Sequence, residues 1–109
     1  MIRTIREAAH RGGAAALGLS EVVAALNEGR VEHLAYDPGV RYAGSIDDEG
    51  MLYAGREAPL TASVLAHEPR LTERIVERSL ETGARITPVD GASADALADA
   101  DGIGALLRW

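Results

Sequence analysis

Apolar residues recur along the chain at spacings that alternate between those of helices and those of strands. Ile2, Ile5 and Ala9 share one face of a short helix predicted over residues 1–11. Gly12 and Gly13 are expected to end this helix, since glycine commonly follows a helix C-terminus. The short apolar run at residues 14–17 predicts an edge strand.

A second helix and a buried strand are predicted next. Ser20 is expected to cap the helix at its N-terminus, and Gly29 is expected to end it. Residues 31–36 follow as a strand whose apolar side chains fall on both faces. Such a pattern is typical of a sheet covered on both sides. Asp37-Pro38-Gly39 has the composition of a turn.

The pattern is weakest between Val40 and Pro59, and it leaves two interpretations open. Residues 41–46 and 51–54 could form two short strands joined by the acidic turn at residues 47–50. A surface loop inserted into the domain would have the same composition.

The second half of the chain repeats the alternation. The clearest helical stripe consists of Leu71, Ile75, Val76 and Leu80, and Thr82-Gly83 is expected to end that helix. Residues 84–89 predict a strand. A short alanine-rich helix follows to about residue 100, and Ser93 is expected to cap it. An apolar strand at residues 103–109 closes the chain.

Strands that alternate with helices predict an α/β fold. We expect a three-layer α-β-α sandwich with a mixed, largely parallel sheet of four to five strands. The domain is expected to span residues 14–109, with the variable insertion at about residues 40–59. The helix at residues 1–13 is interpreted as an interdomain connection, which favours a fragment of a longer protein.

Composition narrows the classes of function. The 109 residues contain no cysteine, so disulfides and thiolate chemistry are excluded. The net charge is −6 and every basic residue is arginine, a balance that argues against binding a phosphate backbone. The start of the sequence lacks the apolar stretch of a signal peptide, and no run approaches the roughly 20 apolar residues of a membrane span. We therefore expect a cytoplasmic location and no membrane partner.

Candidate catalytic chemistry is sparse. His10, His33 and His67 do not lie at metal-ligand spacing, and His33 is interpreted as a structural histidine of a strand. Asp47, Asp48 and Glu49 lack the spread of oxygen ligands that a calcium loop needs, so a solvated turn is expected. Since no nucleophile–base pair or paired-carboxylate site is evident, we expect no enzyme activity, cofactor or metal.

Charged columns on the third predicted helix are the strongest candidates for contact with a partner. Arg70, Arg74 and Arg78 lie one turn apart, and a glutamate follows each of them three residues later. The columns are interpreted as a solvent-facing, ion-paired helix or as a binding stripe. Asp95 belongs to an acidic segment that either maintains solubility or meets a basic partner.

Two segments together carry a family resemblance. The first is GLSEVVAALNEGRVEHLAYDPG at residues 18–39, and the second is ERIVERSLETGARITPVDG with DGIGALLRW within residues 73–109. They resemble the C-terminal domain of the archaeal and eukaryotic peptide-chain release factors and Pelota, and are most similar to the bacterial archaeo-eukaryotic release-factor family. The resemblance covers residues 17–109 except 40–70. Two features depart from the family pattern. Asp101 stands where the family often has glycine, and the chain lacks the cysteines that some relatives carry in the central insertion.

The resemblance implies a fold like that of ribosomal proteins that bind kink-turn RNA, and a docking role without peptidyl-tRNA chemistry. In those RNA-binding proteins an asparagine and a lysine of the pattern G-x-N-E-x-x-K contact RNA. The matching positions here are Gly18, Ser20, Glu21 and Ala24, so both RNA-contacting residues are replaced.

The leading hypothesis is therefore a non-catalytic docking domain of a release-factor-like, ribosome-associated protein that binds a protein partner or the ribosome. An RNA-binding domain of the kink-turn type is the alternative. A third hypothesis is a small enzyme that uses His33 or His67 with a carboxylate. The expected contact residues are Arg70, Arg74, Arg78, Asp47, Asp48, Glu49 and Asp95.

Overall fold

Helices and strands alternate along the computed structural model, which describes residues 2–55 and 65–109. Within these ranges the helices are α1 (Ile2–His10), α2 (Leu19–Asn27), α3 (Leu71–Glu81) and α4 (Gly91–Asp95), and a 3₁₀ turn spans Ala98–Ala100. The strands are β1 (Ala15–Leu17), β2 (Val31–Tyr36), β3 (Gly44–Asp47), β4 (Leu52–Ala54), β5 (Leu65–Glu68), β6 (Arg85–Pro88) and β7 (Ile103–Leu107). No helix in the described ranges is long and apolar enough to cross a membrane.

The larger sheet, among the described residues, has the strand order β1-β7-β2-β6. β1 and β2 each pair antiparallel with β7, whereas β2 and β6 pair in parallel. β1, β2 and β6 therefore run in one direction, as expected for strands joined by helical crossovers. The last strand runs the opposite way and lies between β1 and β2. The mixed sheet is thus confirmed, but this central strand makes two of the three described pairs antiparallel.

A second sheet is formed by β3, β4 and β5, with β3 in the middle and antiparallel to both neighbours. The two-strand interpretation of residues 41–54 is therefore confirmed over the loop interpretation. Residues 56–59 of the predicted insertion lie outside the described residues. Gly44 allows the close pairing of β3 with β4, because a Cβ there would lie 2.0 Å from the carbonyl oxygen of Tyr53.

The core lies on both faces of the larger sheet, as the pattern of β2 predicts. Leu34 is buried on the face covered by α2 and α3, and the next residue, Ala35, is buried on the face covered by α1 and α4. Side chains alternate along a strand, so one buried segment contributes to two apolar clusters. On the α1 side, Arg6 donates hydrogen bonds to the Ala96 carbonyl and to Asp99 and so joins α1 to the segment after α4. The three-layer α-β-α sandwich is confirmed.

Two expected helix caps are wrong. Helix α2 begins at Leu19, one residue before Ser20, and its N-cap position is held by Gly18 with a positive φ of 91°. Helix α4 begins at Gly91, directly after Asp90, so Ser93 lies inside it. In both cases a glycine with a positive φ lies at the start of the helix, and the N-cap position falls two residues before Ser20 and three residues before Ser93.

The stripe predicted on α3 is partly wrong. Leu71 and Ile75 are buried as expected, but the third buried position is Ser79, whereas Leu80 is 63% exposed. Residues at spacing i, i+4, i+8 continue one face, and the next residue is rotated about 100° away from it. Ser79 is tolerated in the core because its hydroxyl donates to the Ile75 carbonyl at 2.8 Å.

The two leucines of α3 provide a matched test of this correction. Leu71→Ala is expected to lower the free energy of unfolding by about 2–5 kcal/mol, because it removes a fully buried side chain. Leu80→Ala is expected to change it by less than about 0.5 kcal/mol. Urea unfolding followed by circular dichroism measures both. Equal losses would contradict the assigned faces of α3.

Candidate functional site

The charged columns of α3 form the ion pairs that their spacing predicts. Each arginine lies 3.8 Å from the carboxylate of the glutamate three residues later; the pairs are Arg70–Glu73, Arg74–Glu77 and Arg78–Glu81. The glutamates are between 63% and 69% exposed. Exposed pairs of this length contribute little to stability, so the columns remain available for other contacts.

Two of the arginines also contact the smaller sheet. Arg74 lies 3.6 Å from Glu68 at the end of β5, and that carboxylate is only 13% exposed. The Arg78 guanidinium donates to the carbonyl oxygen of Gly50 at 2.7 Å. The arginine column and the acidic turn, which are separate in sequence, are therefore brought together. Arg70 pairs with Glu73 along the helix and is 76% exposed.

The acidic turn is organised by its first carboxylate. Asp47 accepts hydrogen bonds at 2.9 Å from the backbone N–H groups of Glu49 and Met51, and at 2.8 Å from the Tyr53 hydroxyl. Desolvation alone would raise the pKa of Asp47, but these hydrogen bonds outweigh it and lower that pKa. Asp47 thus has a structural part, whereas Asp48 and Glu49 are exposed.

Asp95 lies apart from these groups. It is the last residue of α4, which packs with α1 on the opposite face of the larger sheet from α3. Its side chain is exposed. The seven expected contact residues therefore divide between two faces of the domain, with six of them on the side of α3 and the smaller sheet.

The three histidines lie on different elements: His10 on α1, His33 on β2 and His67 on β5. His33 lies 2.7 Å from the Thr87 hydroxyl, and desolvation and then the Arg85 charge lower the pKa of His33. His10 and His67 are exposed. No group of three or more His, Asp or Glu side chains in the described ranges is placed to hold a metal ion.

The N-terminus of α2, where the kink-turn pattern would place RNA contacts, already holds a carboxylate. Asp101 accepts a hydrogen bond from the Leu19 N–H at 3.1 Å. Its backbone has a φ of 58°, which only a few non-glycine residues adopt. A helix N-terminus attracts anions. Here the chain supplies that anion itself, from a residue 82 positions away.

The surroundings of Asp101 add further negative charge. Tyr42 donates to the Asp101 carbonyl oxygen at 2.6 Å. Burial, followed by the charges of Asp101 and Asp37, raises the pKa of Tyr42 to about 12. Sequence reasoning missed this cap, because the partner groups are distant in the chain. The sequence does carry one signal for this cap: Asp101 directly precedes Gly102, and an Asp-Gly dipeptide favours a left-handed backbone.

Comparison with known proteins places the fold. No family model matches the chain, and no curated protein matches it significantly. Among solved structures it is similar to the C-terminal domain of the peptide chain release factor from Methanosarcina mazei, with a TM-score of 0.66 and 18% identity over 99% of this chain and 78% of that one. It is also similar to the archaeal translation termination factor aRF1, with a TM-score of 0.60 and 21% identity over 99% of this chain and 24% of that one.

The chain is an α/β sandwich domain with mixed sheet topology. Its fold is that of the C-terminal domain of archaeal peptide chain release factors, which confirms the fold that the sequence resemblance implies. The chain spans most of the isolated Methanosarcina domain but only about a quarter of the aRF1 chain.

The lowered pKa of Asp47 predicts a pH effect on stability. A carboxyl whose pKa is lower in the folded state stabilises the fold above its unfolded pKa, and this contribution is lost as pH falls through the folded pKa. We expect Asp47→Asn to make the free energy of unfolding less dependent on pH below about 4. Urea unfolding at pH 2.5–7 measures it, with Asp95→Asn as the control that also removes one carboxylate. Identical pH profiles for the two variants would contradict the assigned hydrogen bonds.

Asp101 provides a test of the cap on α2. Asp101→Ala is expected to lower the free energy of unfolding by about 1–2 kcal/mol, through loss of the cap in a left-handed backbone. Asp101→Gly loses the same cap but adopts the positive φ without strain, so it should cost less. Chemical unfolding ranks the two variants, and a larger loss for glycine would contradict this account.

Proposed function

We propose that this chain is a non-catalytic docking domain of a release-factor-like protein that acts with the ribosome, and that it binds a protein partner there. The fold similarity over 99% of the chain to release-factor C-terminal domains carries this proposal. In the part of the chain that the structure describes, no cluster of metal-ligating side chains argues for metal chemistry of its own.

The exposed charges supply the contacts in this proposal. Arg70, directly before α3, and Glu49, in the acidic turn, are exposed and lie on the same side of the domain. Arg78 instead joins α3 to the acidic turn, and Asp47 orders that turn from within. We therefore assign partner contact to Arg70, Arg74, Asp48 and Glu49. Arg78 and Asp47 are assigned a structural role in supporting this surface. Asp95 would contact a partner only on the opposite face.

The RNA-binding alternative is disfavoured on electrostatic grounds. The carboxylate of Asp101 occupies the α2 N-terminus, and Glu21 is exposed in the first turn. A phosphate backbone would meet these charges in place of the cation that RNA recognition needs. A protein surface of mixed charge is the better complement.

Helix α1 has a positioning role in the proposal. Ile2 and Ile5 are buried beneath the larger sheet, so the helix is anchored to the domain along its length. A preceding domain connected through α1 would therefore have a fixed position relative to the docking surface. The proposed protein would carry its peptidyl-tRNA chemistry in that other domain, and this domain would recruit the partner.

The proposal is tested by capture of partners on the tagged chain from a lysate of the source cells, with and without ribonuclease. We expect translation-associated proteins to remain bound after ribonuclease. The charge-neutral double reversal Arg70→Glu/Glu49→Arg should reduce capture about tenfold or more, because it places like charges opposite each other.

The matched control is Arg3→Glu/Glu7→Arg, which swaps an exposed ion pair on α1 and conserves net charge. It should leave capture unchanged. Binding that disappears with ribonuclease and falls steeply with salt would indicate RNA recognition and overturn the proposal. Equal capture by both double variants would contradict the assignment of Arg70 and Glu49 as contact residues.

A further inference from the structure

We draw no further inference here: the strongest candidate, the cleft of about 570 Å³ between α1 and α4 beside the end of β6, has aliphatic walls and arginines that already pair with Glu7 and Asp99, and nothing in the structure shows what fills it.

Discussion

The insertion of β7 between β1 and β2 is the constraint on which the rest of the domain depends. β7 pairs with both neighbours, and its side chains reach the apolar clusters on both faces of the sheet. Without β7, β1 would have no partner in the described sheet, and a gap in the sheet between β1 and β2 would connect the two apolar clusters.

The turn that leads into β7 supplies the Asp101 cap of α2. The residue after β7, Arg108, donates to the carbonyls of Val31 and of Thr82 just beyond the end of α3. One strand therefore fixes the sheet and the ends of two helices.

Local sequence pattern predicts much of this fold. The bounds of β2 agree with the predicted residues 31–36, and its apolar residues on both faces correctly indicate a sheet covered on both sides. The two strands of residues 41–54 follow from the acidic turn between short apolar runs. Where a glycine holds the N-cap position, as Gly18 does for α2, the nearby Ser20 predicts a helix start that is two residues too late. Periodicity also does not distinguish Ser79 from Leu80 as the third core position of α3, because a hydroxyl that bonds to the preceding turn can be buried.

Contacts between distant segments could not be predicted, and these decide the candidate site. The pairing of arginines with glutamates within α3 follows from spacing alone. The contact of Arg78 with Gly50 requires the smaller sheet to pack beside α3, which no spacing encodes. For the same reason the aspartate before Gly102 reads as a departure from a family pattern and not as a helix cap. The structure changes the interpretation of the charged helix: Arg74 and Arg78 contact the smaller sheet, whereas Arg70 and its partner Glu73 remain exposed.

Under the proposed function, this domain binds partners through protein contacts on the side of α3, and not through RNA at the N-terminus of α2. The most direct measurement is a nuclear magnetic resonance titration of the ¹⁵N-labelled chain, first with the captured protein partner and then with a kink-turn RNA oligonucleotide. The account predicts amide shifts in α3 and the acidic turn with the protein, and none with the RNA. Shifts on RNA addition that centre on Gly18 to Glu21 would contradict it.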